Sequence, residues 1–165
     1  MVDPRPPSNS LDLSEESLRA GIELLFYAYR DFTGEADQML EKFGLGRAHH
    51  RAIYFIGRYP GRTVGHLLGI LRITKQSLSR VLKELIAQQY IEQRSGLRDR
   101  RERLLHLTDK GVALERELTA RQRERIGRAY NECGPESVDG FRKVLFAILD
   151  SDHRGDVERA LAGLR

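Results

Sequence analysis

Thr74-Lys75-Gln76-Ser77-Leu78-Ser79-Arg80-Val81-Leu82-Lys83-Glu84-Leu85-Ile86 is the stretch from which the rest of this 165-residue chain can be read. Leu78, Val81, Leu82, Leu85 and Ile86 fall at the spacing of one buried helical face. Lys75, Gln76, Ser79, Arg80 and Lys83 occupy the opposite face, and Thr74 is placed to cap the helix. Just upstream, Thr63 is placed to cap a shorter helix carrying Val64, Leu67, Leu68 and Leu71, joined to the first through Arg72-Ile73. Two short helices in a tight link, the second apolar on one side and hydrogen-bonding on the other, predict a helix-turn-helix.

Downstream the period changes. Tyr90 to Ser95 has extended character, and Arg103 to Thr108 alternates, with Leu105 and Leu107 on one side. Between them lies Gly96-Leu97-Arg98-Asp99-Arg100-Arg101-Glu102, a basic hairpin tip. A hairpin directly after a helix-turn-helix predicts a winged helix. Charge concentrates here. From Arg72 to Lys110 ten Lys or Arg face five Asp or Glu, a local net of +5, whereas the whole chain carries +4. All remaining residues together therefore carry −1, and the basic excess belongs to the helix-turn-helix and its wing.

The flanks read as helices. Ser14 with Glu15 and Glu16 begins a long amphipathic helix carrying Leu18, Ile22, Leu25, Phe26, Tyr29 and Phe32 and extending as far as Lys42. Leu45 to Arg58 predicts a second helix with Ile53 and Ile56 inward, ended by the turn Tyr59-Pro60-Gly61. Beyond the wing, Thr108-Asp109 caps a helix to about Glu132. Gly134-Pro135 ends it and starts another, whose apolar face is Phe141, Val144, Leu145, Ile148 and Leu149. Ser151 to Gly155 breaks the pattern, and Val157, Ala160, Leu161 and Leu164 form a last helical stripe.

Composition excludes several classes. With 40% hydrophobic residues and only short apolar runs, nothing approaches the roughly 20 residues needed to span a bilayer. The single cysteine, Cys133, cannot form an intramolecular disulfide, and the opening MVDPRPPSNS has neither the basic start nor the apolar stretch of an export signal. Residues 1–10 read as a flexible tail, and a cytoplasmic location is expected. His49-His50 is the one pair that suggests a metal, but adjacent helical residues point about 100° apart and do not chelate together. No glycine-rich phosphate loop, nucleophile elbow or convincing carboxylate pair is present, so neither an enzyme, a cofactor nor a metal is expected.

Two stretches resemble the MarR family of bacterial transcription regulators. Ile73 to Leu85 is similar to that family's recognition helix. Asp99-Arg100-Arg101-Glu102-Arg103-Leu104-Leu105-His106-Leu107-Thr108-Asp109-Lys110-Gly111 is similar to its wing signature, an Asp-x-Arg followed by a strand and Leu-Thr-x-x-Gly. Gly96-Leu97 stands where the family often has Asp-Pro, which bears on the shape of the wing tip. The helical order outside both stretches fits as well.

The resemblance implies a mainly α winged helix-turn-helix fold and an obligate homodimer. Residues 11–44 and 112–165 would form the dimerisation region and 45–111 the DNA-binding region. Two winged helices would then straddle a pseudo-palindrome in double-stranded DNA. Residue chemistry points the same way. Gln76, Ser79 and Arg80 suit base edges in the major groove, and Lys75 and Lys83 suit phosphate. Thr63 and Thr74 stand at helix starts where phosphates bind. On the wing, Arg101 would enter the minor groove with its guanidinium held by Asp99, while Arg98, Arg100 and Arg103 would meet phosphate. The family also binds small aromatic acids between the dimer helices and the winged helix. Tyr27, Arg30, His49, Arg51 and Tyr54 are the candidates for such an effector cleft. Peroxide-sensing relatives carry their cysteine in the first long helix, where this chain has none. The competing reading is a winged helix that docks a protein, or a dimeric scaffold, with no sequence-dependent DNA binding.

Overall fold

The computed structural model describes residues 11, 13–96 and 99–162. Helix α1 (Glu15–Glu41) is capped by Ser14, whose hydroxyl accepts the Ser17 N–H, and places Glu15 and Glu16 at the positive end of its dipole. Helix α2 (Arg47–Arg58) follows a short link in which Leu45 is buried rather than helical. Next come β1 (Arg62–Thr63), α3 (Val64–Leu71) and α4 (Lys75–Ala87). Strands β2 (Ile91–Ser95) and β3 (Arg103–Leu107) form the hairpin, and α5 (Asp109–Ile148) and α6 (Ser151–Ala162) complete the chain. The three strands pair antiparallel in the order β1-β3-β2, with Arg62 opposite Leu105 and Gln93 opposite that same residue on the other side. The two-residue β1 is too short to carry a sequence pattern of its own.

The described residues up to Gln122 form one unit and those from Arg123 another. The first unit contains the core. Ala36 and Leu40 of α1, Ile53 and Ile56 of α2, Leu67 of α3, and Leu78, Val81, Leu82 and Leu85 of α4 meet there. Tyr90, Ile91 and Leu105 of the hairpin and Leu114 and Leu118 of α5 close it. Burying such side chains contributes about 1.5–3 kcal/mol each, so this cluster dominates the stability of the winged helix. Ile86, expected on the buried face of α4, is instead 39% exposed, because it lies at the edge of the stripe that Leu78, Val81, Leu82 and Leu85 fill.

Both helices of the helix-turn-helix are capped as their sequences suggest. Thr63 accepts the His66 N–H at 3.2 Å and Thr74 accepts the Ser77 N–H at 3.1 Å. The turn between them uses Arg72 in the left-handed conformation (φ 51°). At the far end of α4, Gln89 adopts φ 60° while Tyr90 N–H reaches back to the Leu85 carbonyl and Gln89 N–H to that of Ile86. These two bonds make a Schellman motif, which turns the chain into β2.

In the second unit the helix breaks at Gly134 (φ 79°), immediately before Pro135, as the Gly-Pro pair suggests. Tyr130 meets Phe141 edge-on across that break, with ring centroids 6.4 Å apart. The expected interruption at Ser151 to Gly155 is corrected: α6 starts at Ser151 and runs through Gly155. Its first five residues, Ser151 to Gly155, are polar or glycine, so the stripe that reveals the helix begins only at Val157. Leu164 of the proposed stripe lies outside the described residues, as do residues 1–10. No described helix is long and apolar enough to cross a membrane.

Candidate nucleic-acid interface

The amphipathic pattern of α4 determines which side chains face outward. With Leu78, Val81, Leu82 and Leu85 in the core, Gln76, Ser79, Arg80 and Lys83 are exposed and, with Glu84, line a shallow open groove of about 400 Å³. Lys75 is exposed at the first turn. Thr74 spends its hydroxyl on the helix start, accepting from Ser77 N–H and donating to Ser77 Oγ at 2.8 Å. Polar, flexible donors on one face of a helix present the groups that base edges and phosphates accept.

Glu84 is the acid in this basic groove. Its Oε1 accepts the Arg80 Nε–H at 3.0 Å, and its Oε2 lies 2.6 Å from His49 Nε2 of α2. His49 Nδ1 in turn accepts the Gly46 N–H at 3.1 Å, so the ring proton resides on Nε2 and points at Glu84. The Arg80 guanidinium, followed by His49, holds the Glu84 carboxyl below the usual carboxylate range, and Glu84 stays ionised. The Arg80 pairing follows i,i+4 helical spacing and is legible in sequence. The His49 contact spans 35 residues and is not.

On the wing, Arg100, Arg101 and Arg103 are exposed. Asp99 Oδ1 accepts the backbone N–H of Arg101 at 2.8 Å. This corrects the expected side-chain pair: Asp99 shapes the turn beneath Arg101 and leaves the guanidinium unclaimed by that carboxylate. Arg103 reaches across the hairpin to Ser95 Oγ at 3.0 Å, its register partner. Arg94 pairs with Glu92 at 2.8 Å along β2. Arg98 lies outside the described residues. Lys110 faces elsewhere: its ammonium donates to the Gln88 carbonyl at 2.8 Å and sits 4.3 Å from the Tyr90 ring centroid, at the negative end of α4.

The five effector candidates are divided between different neighbours. Arg30 lies over the Tyr27 ring at 5.0 Å and pairs with Asp31. Arg51 donates to the hydroxyl of Tyr29, and Arg47 lies over that same ring at 5.4 Å. Tyr54 meets Phe55 edge-on at 5.1 Å. His49 is turned to Glu84, away from this aromatic group. Tyr29, Arg47 and its ion-pair partner Asp37 carry no distinguishing signal in the sequence, where Tyr29 reads as one more member of the α1 stripe. His50 is 6% exposed, and burial pushes its pKa down, against the opposing pull of Asp37 and Glu115. Among the described residues, no group of three or more His, Cys, Asp or Glu is placed to hold a metal ion. Cys133 is exposed at the helix break.

A capped two-helix unit with an exposed polar reading face, followed by an arginine-bearing hairpin on a three-stranded sheet, defines a winged helix-turn-helix protein. A model of the MarR family matches residues 43–102. The chain is 53% identical over 152 residues to the HTH-type transcriptional regulator PetP of Rhodobacter capsulatus, covering 91% of this chain and 92% of that relative. It belongs to the MarR family of transcription regulators. Solved structures share its fold at lower identity. Streptococcus pneumoniae FabT in complex with DNA is 20% identical, with a TM-score of 0.69 over 90% of this chain and 99% of that one. A mutant MarR from E. coli complexed with operator DNA is 18% identical, with a TM-score of 0.63 over 85% of this chain and 100% of that one.

Proposed function

We propose that this regulator binds double-stranded DNA sequence-specifically as a homodimer, on a pseudo-palindromic operator. The observation that carries the reading is the outward face of α4, where Gln76, Ser79, Arg80 and Lys83 stand exposed opposite a fully packed apolar face. In this arrangement α4 enters the major groove, with Gln76, Ser79 and Arg80 on base edges and Lys75 and Lys83 on phosphate. The starts of α3 and α4, at Thr63 and Thr74, approach the backbone. The wing follows with Arg101 in the minor groove and Arg98, Arg100 and Arg103 on flanking phosphates. FabT and MarR, which share the fold, have been solved with DNA.

Apolar exposure supports the dimer. In α1 every residue from 18 to 31 is exposed, although the segment includes Leu18, Ile22, Leu24, Leu25 and Phe26, each between 48% and 69% exposed. In the second unit Phe141, Val144, Leu145 and Ile148 are likewise exposed. Apolar side chains exposed in such number on each unit require a covering partner, and a second copy supplies one. Two copies then present two α4 helices to successive major grooves, about 34 Å apart. A small aromatic or anionic effector is proposed for the region of Tyr27, Arg30, Arg51 and Tyr54, where the Arg30 guanidinium lies over the Tyr27 ring.

The test is a titration of labelled DNA from upstream of the chain's own reading frame against a scrambled duplex, at physiological salt. Preferential binding with two chains per duplex is expected. Equal affinity for both duplexes would favour the protein-docking alternative.

A further inference from the structure

We propose that Glu84 is a positioning residue for DNA reading: it holds the Arg80 guanidinium at a set point on the outer face of α4 and so fixes the base preference of that arginine. The inference rests on the reading of α4 as the recognition helix. A carboxylate in a groove that approaches phosphates carries an electrostatic cost, so its presence among Gln76, Ser79, Arg80 and Lys83 calls for a compensating role. Both of its oxygens are engaged. Oε2 is held at 2.6 Å by His49 Nε2, and His49 is fixed by the Gly46 N–H at 3.1 Å. Oε1 holds Arg80 Nε at 3.0 Å. A chain of three hydrogen bonds thus runs from the backbone at the start of α2 to a side chain that is itself 83% exposed.

The chemistry favours a role in reading over a purely structural tether. An exposed arginine samples many rotamers, and ordering it on DNA costs entropy that a preformed contact reduces. Glu84 takes the Nε–H of the largely exposed Arg80 side chain and does not engage its two terminal amino groups. Those are the donors a guanidinium uses to pair bidentately with guanine O6 and N7. His49 supplies the rigidity: its ring is 12% exposed and belongs to a different helix, so the Glu84 carboxylate does not swing with α4 side-chain motion alone.

The experiment selects duplexes from a random pool with the full-length wild type, Arg80→Ala, Glu84→Ala and the double variant. It then measures each protein's affinity for the selected site and for a duplex changed at the base pair that depends on Arg80. Thermal unfolding is recorded for all four. The expected result is that Glu84→Ala loses roughly tenfold in discrimination at that base pair. Its affinity for unrelated DNA rises, because a negative charge has left the interface. In the Arg80→Ala background the Glu84→Ala change alters discrimination no further. Should Glu84→Ala unfold, Glu84→Met takes its place, since it keeps the length of the side chain while removing both acceptor oxygens.

Full discrimination in the Glu84 variant overturns the proposal. So does an equal loss with and without Arg80, which is the signature of a structural tether. Should Arg80→Ala leave selection unchanged, the assignment of Arg80 to base contact fails and the positioning role fails with it. That outcome is distinct from one in which only the Glu84 variant is silent.

Discussion

The α-carbon of Gly111 lies so close to the Tyr90 carbonyl that a methyl group on it would stand 1.9 Å from that oxygen. The contact is part of a tight junction. The Thr108 hydroxyl donates to the Gln89 carbonyl at 2.6 Å and accepts the Gly111 N–H at 3.1 Å, while Thr108 N–H donates to the Tyr90 carbonyl. The Leu-Thr-x-x-Gly signature therefore has a packing cause: it docks the start of α5 onto the end of α4.

Gly111→Ala is accordingly expected to destabilise the protein by about 3 kcal/mol, since the obstacle is backbone and cannot rotate away. Gly69→Ala, in a helix with nothing within 4 Å of the added carbon, is the control and is expected to be neutral or mildly stabilising. Denaturant unfolding at fixed protein concentration measures both. Equal stabilities for the two variants would remove the packing explanation.

Gln89 holds a left-handed conformation in the Schellman turn, a position that glycine occupies at lower cost. Gln89→Gly should stabilise by about 1 kcal/mol. For a domain of this size the thermal midpoint should rise by roughly 2–4 °C. A lowered midpoint would mean that the Gln89 side chain contributes something the backbone argument omits.

Buried His50 makes stability depend on pH in a definite direction. Desolvation lowers its folded pKa below the ordinary value of 6.5, with Asp37 and Glu115 pulling upward and Arg51 downward. As pH falls through 6.5 the unfolded chain takes up a proton before the folded one does, so the unfolded state gains. Stability from this site is complete above that pH and is lost as pH falls toward the folded pKa. The midpoint of wild type should drop between pH 7.5 and 5, and His50→Leu should flatten the slope. Glu84 titrates lower, below the usual carboxylate range, and leaves this window clear. An unchanged slope in His50→Leu would assign the effect to another histidine.

Local periodicity made the winged helix legible. The stripe from Leu78 to Leu85 fixed the inward and outward faces of α4, and the Thr63 and Thr74 caps marked two helix starts where the structure has them. What stayed hidden had no local signal. Strand β1 is defined only by its partner Leu105 and its neighbour. Helix α6 starts within the polar run Ser151 to Gly155, which has no apolar residue to mark it. The Glu84–His49 contact joins two helices 35 residues apart, and a charge on a recognition helix looks the same whether it is solvated or clamped. Asp99 engages Arg101 at its backbone rather than at the guanidinium that the sequence suggests: a short side chain two residues upstream reaches a backbone N–H more readily than a long guanidinium.

The wing gives a prediction that separates two roles at adjacent positions. Arg101 is exposed, and its backbone, not its guanidinium, is held by Asp99. Arg101→Ala should leave the turn intact and cost about 1–3 kcal/mol in operator affinity, with the thermal midpoint unchanged. If the guanidinium also neutralises a phosphate, the slope of log affinity against log salt should become shallower by about 1. Asp99→Ala should behave differently. It removes the acceptor that orders the turn, so the arginines remain but the wing samples more conformations. Its operator affinity should fall less than that of Arg101→Ala, and its salt slope should stay the same, because no cation has been lost. Titrations of both variants at three salt concentrations make the comparison, and equal affinity of Arg101→Ala and wild type for the operator would take the wing out of DNA recognition.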